Sequence, residues 1–164
     1  MLTIFTVPKP FRGHIGIIQR NAIGSWTRLE PRCQVILCGA EEGTREVAAE
    51  HGTEFVAETA RNEFGTPLLS DVFALAERRA AHPLLCYVNA DIVLLPDFLA
   101  AAERLARLRS RGTATRPFLM AGQRWDLDVP EPLPFAAPDW AEATRRRARE
   151  TGALHPPAGS DYFV

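Results

Sequence analysis

The chain has 164 residues, a formal net charge of −1, 46% hydrophobic residues and 24% charged ones. That length suits one domain with a real core. The charge balance excludes broad nucleic-acid binding, which needs surplus Lys and Arg to displace counterions. Cys33, Cys38 and Cys86 are too few and too scattered for a disulfide framework, so we expect buried free thiols and a reducing, cytoplasmic setting. No signal peptide is expected, because no basic stretch precedes the apolar residues 1–7. No membrane span is expected either: the longest apolar stretch, 84–102, is broken by Asn89, Asp91, Pro96 and Asp97.

Leu2 to Val7 is short, apolar and β-branched, which predicts a strand buried on both faces. Ile15, Ile18, Ala22, Trp26 and Leu29 recur at three- and four-residue spacing, one face of a helix. Gln34–Cys38 is the second predicted strand. Glu41 and Glu42 are expected to open the next helix at its positive end, and Gly52 to close it. Glu54–Ala57 reads as a third strand. Thr66-Pro67 reads as an N-cap followed by a first-turn proline, with Leu68, Leu69, Val72, Phe73 and Ala76 behind it.

Leu84–Val88 is the fourth strand. Pro96-Asp97 opens a helix with Phe98, Leu99, Ala102, Leu105 and Ala106 inward. Phe118–Gly122 is expected as a fifth strand, and residues 130–138 as a proline-rich surface loop. Asp139–Thr151 is a predicted helix ending at Gly152, whose Arg145-Arg146-Arg147 run reads as a solvated face. Asp161–Val164 is extended. Strands alternating with helices predict an α/β fold: a mostly parallel, Rossmann-like sheet with helices on both faces.

Ligands in such sheets bind outside the carboxyl ends of the strands. Four polar clusters fall there: Thr6, Pro8, Lys9, Arg12 and His14; Gly39, Glu41 and Glu42; Asn89 and Asp91; and Gln123, Arg124, Trp125, Asp126 and Asp128. Neither a G-x-G-x-x-G fingerprint nor a P-loop follows a strand. A bound nucleotide would therefore rely on side chains or a divalent cation, and Mg²⁺ is usually held by one or two carboxylates plus substrate phosphates. Asp91 lies too far upstream of Pro96 to cap that helix directly.

The strand ending in Tyr87-Val88-Asn89-Ala90-Asp91-Ile92 resembles the D-x-D region of GT-A glycosyltransferases. Ala60-Arg61-Asn62-Glu63-Phe64-Gly65 is similar to the R-N-x-G stretch of family-2-like members, and Gly159-Ser160-Asp161-Tyr162-Phe163 to their later acidic motif. The resemblance spans nearly the whole chain in element order. It implies a single nucleotide-diphospho-sugar transferase-like domain over residues 1–164, incomplete at its C terminus. It implies Mg²⁺ or Mn²⁺ at Asp91, and a nucleoside diphosphate sugar held by Thr6, Pro8, Glu41, Arg61, Asn62, Asn89 and Asp91. Arg124, Trp125 and Asp126 would face an acceptor, and Asp161 would serve as catalytic base in an inverting transfer of the hexosyltransferase type. Asn89 stands where the first D-x-D acid would be and offers a neutral oxygen instead.

The literal D-x-D at Asp126-Leu127-Asp128 ranks second, one strand too late for the family pattern and consistent with turn chemistry. Trp125 could stack on a sugar or base, or close a strand end. His155, before Pro156-Pro157, reads as loop ahead of metal ligand. Two rival functions remain. One is a non-catalytic or truncated nucleotide-sugar-binding domain. The other is a nucleotidyltransferase, which Thr6-Val7-Pro8-Lys9-Pro10 does not fit because no glycine-rich basic loop follows the first strand.

Overall fold

The computed structural model describes residues 1–110 and 118–164. Its main sheet has five strands in the order β3-β2-β1-β4-β7. They are β1 (Leu2–Thr6), β2 (Gln34–Cys38), β3 (Glu54–Val56), β4 (Leu84–Val88) and β7 (Tyr162–Phe163). The first four are parallel, and β7 runs antiparallel to β4. The helices are α1 (Gly13–Trp26), α2 (Thr44–His51), α3 (Leu69–Arg79), α4 (Pro96–Ser110) and α5 (Trp140–Thr151). A second, two-stranded sheet joins β5 (Trp125–Asp126) to β6 (Ala153–Leu154).

The two faces of the sheet follow from the two-residue period of a strand. Leu2, Ile4, Val35, Leu37, Cys86 and Val88 point to one side, where they meet Ala22, Ile23 and Trp26 of α1, Val47 of α2 and Leu99 of α4. Phe5, Ile36, Cys38 and Val56 point to the other and meet Val72, Leu75 and Ala76 of α3. Helices thus cover both faces, as the alternation predicts. All three cysteines are free and buried. Burial pushes the Cys33 thiol up to about 11 and the Cys38 thiol to about 12.

Residues 130–138 form no regular element, but they are pinned down. The Asn21 amide donates to the Glu131 carbonyl at 2.9 Å, and its oxygen accepts from the Leu133 N–H at 2.8 Å. Gly24 makes this possible: a Cβ there would lie 2.6 Å from the Phe135 ring. The glycine that weakens α1 is where the proline-rich segment approaches it most closely.

Three local expectations are corrected. The helix after β2 starts at Thr44 rather than Glu41, because Gly43 takes a left-handed φ of 85° just before it. Glu41 and Glu42 pair instead with Arg61 and Arg12. The helix after β3 starts at Leu69 rather than Pro67. Residues 61–67 close into a tight turn, with an Arg61–Pro67 bridge and the Asn62 side-chain oxygen accepting the N–H groups of Phe64 and Thr66. An Asx turn outcompetes the helix N-terminus there. Finally, Phe118–Gly122 is not a strand. It contributes one bridge, Ala121 to Phe163, and a reciprocal pair of 2.9 Å hydrogen bonds between Met120 and Val164. Pairing against a two-residue β7 leaves little ladder to extend, and a Cβ on Gly122 would sit 1.7 Å from the Tyr162 hydroxyl.

Trp26 links this core to the rim. It is fully buried, and its indole N–H donates to the Ile92 carbonyl at 2.8 Å, just after Asp91. Trp26→Phe removes the donor and leaves the half-buried Ile92 carbonyl without it, so we expect unfolding free energy to fall by about 1–3 kcal/mol. Urea unfolding with an unchanged slope would measure it; a midpoint equal to wild type would refute the assignment.

Candidate functional site at the carboxyl rim of the sheet

Strand order reverses at β1: β2 lies on one side of it and β4 on the other. The crevice outside such a reversal is where open α/β sheets bind ligands. The residues singled out from the sequence gather there in two groups, one on each side of β1.

On the β2 side, the Arg61 guanidinium pairs with Glu41 at 2.7 Å and donates to the Gly65 carbonyl at 2.7 Å. Gly39, at φ 97°, donates its N–H to Val56 at 2.8 Å; a Cβ there would lie within 4 Å of Arg61, Val7 and Thr59. Thr6 and Pro8 are buried, and the Thr6 hydroxyl has no hydrogen-bond partner among the described residues. Gln19 holds the turn after β1 by bonding the Lys9 N–H at 2.7 Å and its carbonyl at 2.8 Å. Asn62 is exposed, with its oxygen engaged in the Asx turn. Beyond β3 opens a cavity of about 940 Å³ whose lining includes Val56, Thr59, Ala60, Asp71 and Arg78.

On the β4 side, Asn89 meets Asp161, which lies 72 positions later. The Asn89 N–H donates to the Asp161 carbonyl at 2.9 Å, and its amide to the Asp161 carboxylate at 3.1 Å. The β4–β7 ladder dictates this. Val88 faces Tyr162, so the next antiparallel pair is Asn89 with Asp161. Asp161 is buried, at 8% exposure, and its second oxygen is paired with Arg124.

Arg124 comes from the β5–β6 hairpin. Trp125 faces Leu154, Asp126 faces Ala153, and the His155 N–H donates to the Arg124 carbonyl at 2.9 Å. Alternation along a strand puts Arg124, Asp126 and His155 on one face, and Trp125 with Leu154 on the other. Trp125 therefore does not share a face with Arg124 and Asp126, and it stays 46% exposed. The Arg124 Nε–H donates to Asp126 at 2.7 Å, and His155 Nδ1 lies 2.7 Å from the other Asp126 oxygen. With Nδ1–H on that carboxylate, the remaining lone pair is on Nε2, 3.2 Å from Arg124 Nη2. The reading of His155 as loop misses its place in this group. The signal was the Arg124-x-Asp126 spacing, which needed a strand partner to become meaningful.

Asp91 is exposed on the turn that follows β4, where the Ile92 N–H bonds the Asn89 carbonyl at 3.1 Å. Burial pushes the Tyr87 phenol up, and the Asp91 charge adds to it. No group of three His, Cys, Asp or Glu side chains suited to a metal occurs among the described residues. The donor set at Asp91 is thus one carboxylate. That fits a hard cation arriving with phosphate oxygens, and does not fit one held by protein alone. No helix among the described residues is long and apolar enough to cross a membrane.

No family model matches the chain. No curated protein matches it either.

The Asp126 carboxyl is held below its ordinary value, first by the His155 hydrogen bond and then by Arg124. A depressed folded-state value stabilises the fold above the unfolded aspartate range, and that contribution is lost as pH falls through the folded value. Carbon-13 carboxyl titration should place the Asp126 midpoint below that of an unfolded aspartate and move it upward in His155→Ala. An unmoved midpoint would show that the His155 contact is not formed.

Proposed function

We propose that this chain binds a nucleoside diphosphate sugar across the carboxyl rim and transfers the sugar to an acceptor hydroxyl, as a glycosyltransferase of the GT-A type. The observation that carries the reading is the convergence of Glu41 with Arg61, and of Asn89 with Asp161 and Arg124, on either side of the strand-order reversal. The nucleoside end would lie along β1, β2 and β3. There Arg61 is oriented by the Glu41 carboxylate and the Gly65 carbonyl.

Asp91 would hold Mg²⁺ or Mn²⁺, which when bound offsets charge on the leaving diphosphate. The acceptor oxygen would bond to the anomeric carbon as the bond from that carbon to the phosphate oxygen breaks. Asp161 would take the acceptor proton. An ionised carboxylate offers about four lone-pair sites, and Asn89 and Arg124 use two of them. Asn89 in place of a carboxylate supports a second reading, a binding domain without turnover.

Calorimetric titration with UDP, GDP and their sugars, with and without Mn²⁺, tests the proposal. One nucleotide class should bind in a metal-dependent way, and Asp91→Ala should weaken it at least about tenfold, or 1.4 kcal/mol. Equal affinity in Asp91→Ala would remove Asp91 from the site. Binding without sugar release in the presence of acceptors would favour the second reading. No binding by the folded chain would overturn both.

A further inference from the structure

Arg124 is the hub of the β4 side, and its own position needs an explanation. Its long side chain must be held if it is to hold Asp161. The ion pair alone fixes only one end of the guanidinium, and a single ion pair must offset the entropy of holding a long side chain in one geometry. Two more contacts complete the hold: Nε–H donates to Asp126 at 2.7 Å, and Nη2 donates to the lone pair on His155 Nε2 at 3.2 Å. His155 is oriented in turn by its 2.7 Å contact to the second Asp126 oxygen.

The hairpin is shaped for this arrangement. Arg124 and His155 are opposed across the ladder, where cross-strand side chains approach most closely. The Gln123 amide donates to the His155 carbonyl at 2.6 Å, fixing the strand end. Gly159 leaves room for the ring: a Cβ there would sit 2.6 Å from both His155 Cδ2 and Nε2. With Nε2 facing Gly159 and Arg124, and Nδ1 on Asp126, neither ring nitrogen is open to a metal.

We propose that His155 and Asp126 are positioning residues that lock the Arg124 guanidinium in the orientation that clamps Asp161 against the end of β4. Resting on the glycosyltransferase reading, the clamp sets where the acceptor-facing carboxylate points, while the nucleotide side of the rim is independent of it. Arg suits the task because its planar fork presents donors in fixed directions, whereas a Lys ammonium offers a point charge.

The test follows the Arg124 side-chain Nε–H signal of the nitrogen-15-labelled full chain, assigned by its absence in Arg124→Lys. Wild type should show a protected Nε–H. In His155→Ala and in Asp126→Ala its exchange should speed up at least about tenfold, as for a locally opened contact. Backbone amides of β1–β4 should stay in place, and His155→Asn, which can still donate to Asp126, should restore part of the protection. Exchange that is unchanged in His155→Ala overturns the clamp.

Where a donor is turned over, His155→Ala should lower kcat roughly tenfold to a hundredfold at nearly unchanged donor KM, the cost of a small misplacement near the reacting atoms. A change confined to donor KM would also overturn the proposal. If wild type binds no nucleotide sugar, the transferase reading fails, and the Nε–H signal still decides the clamp.

Discussion

The register between β4 and β7 decides what the rim can do. Side chains alternate faces along a strand, so a slip of one residue would turn Asp161 away from Asn89 and remove the carboxylate from the crevice. Two ladder pairs, Tyr87 with Phe163 and Val88 with Tyr162, leave Asn89 and Asp161 as the next pair. Those two strand pairs are few, and the register is reinforced from both sides. Tyr162 packs edge-on against Phe98 at 5.2 Å between ring centroids, and Met120 and Val164 exchange backbone hydrogen bonds on the outer edge. Gly122 belongs to the same reinforcement, since only a glycine leaves room for the Tyr162 hydroxyl.

Charge on this side of the rim is arranged around one cation. Arg124 stands between Asp161 and Asp126, and both hydrogen bonds hold its proton more tightly, Asp161 most of all. Two carboxylates so close to one site would repel each other without it. The guanidinium is therefore as much a condition for the two acids to coexist as a partner to either. The β2 side repeats the pattern on a smaller scale, with Glu41 set against Arg61. On both sides of β1 an arginine arrives from a segment distant in sequence and meets an acid close to a strand end.

What could be read from the sequence divides along the same line as local and non-local forces. Strands β1 to β4 were legible because buried runs such as Leu2–Thr6 and Gln34–Cys38 carry their own signal. Gly52 was legible because a left-handed cap asks for glycine, and it sits at φ 62°. The starts of α2 and α3 were not: Glu41 and Glu42 found Arg61 and Arg12 as partners, and Thr66-Pro67 was drawn into the turn that the Asn62 side chain closes. The Phe118–Gly122 segment was misread because an apolar run says nothing about how long its partner strand is. His155 was unreadable for the same reason. Its role exists only once Arg124 is opposite it.

Asp91 is exposed, and it belongs to no group of three His, Cys, Asp or Glu side chains suited to a metal among the described residues. Asn89 is turned toward Asp161, and Asp126 and Asp161 are occupied by Arg124. A hard cation at Asp91 would complete its shell from ligand phosphates and water. Its affinity would then be low without the nucleotide and raised by it, and by linkage the cation would raise nucleotide affinity by the same factor. A neutral amide at position 89 would sharpen such coupling, because a missing carboxylate takes more from a cation bound alone than from one bound with a diphosphate. With Asn89 bound to Asp161 by both its backbone N–H and its side-chain amide, position 89 offers no carboxylate beside Asp91, so any cation there would depend on the ligand for its remaining charge.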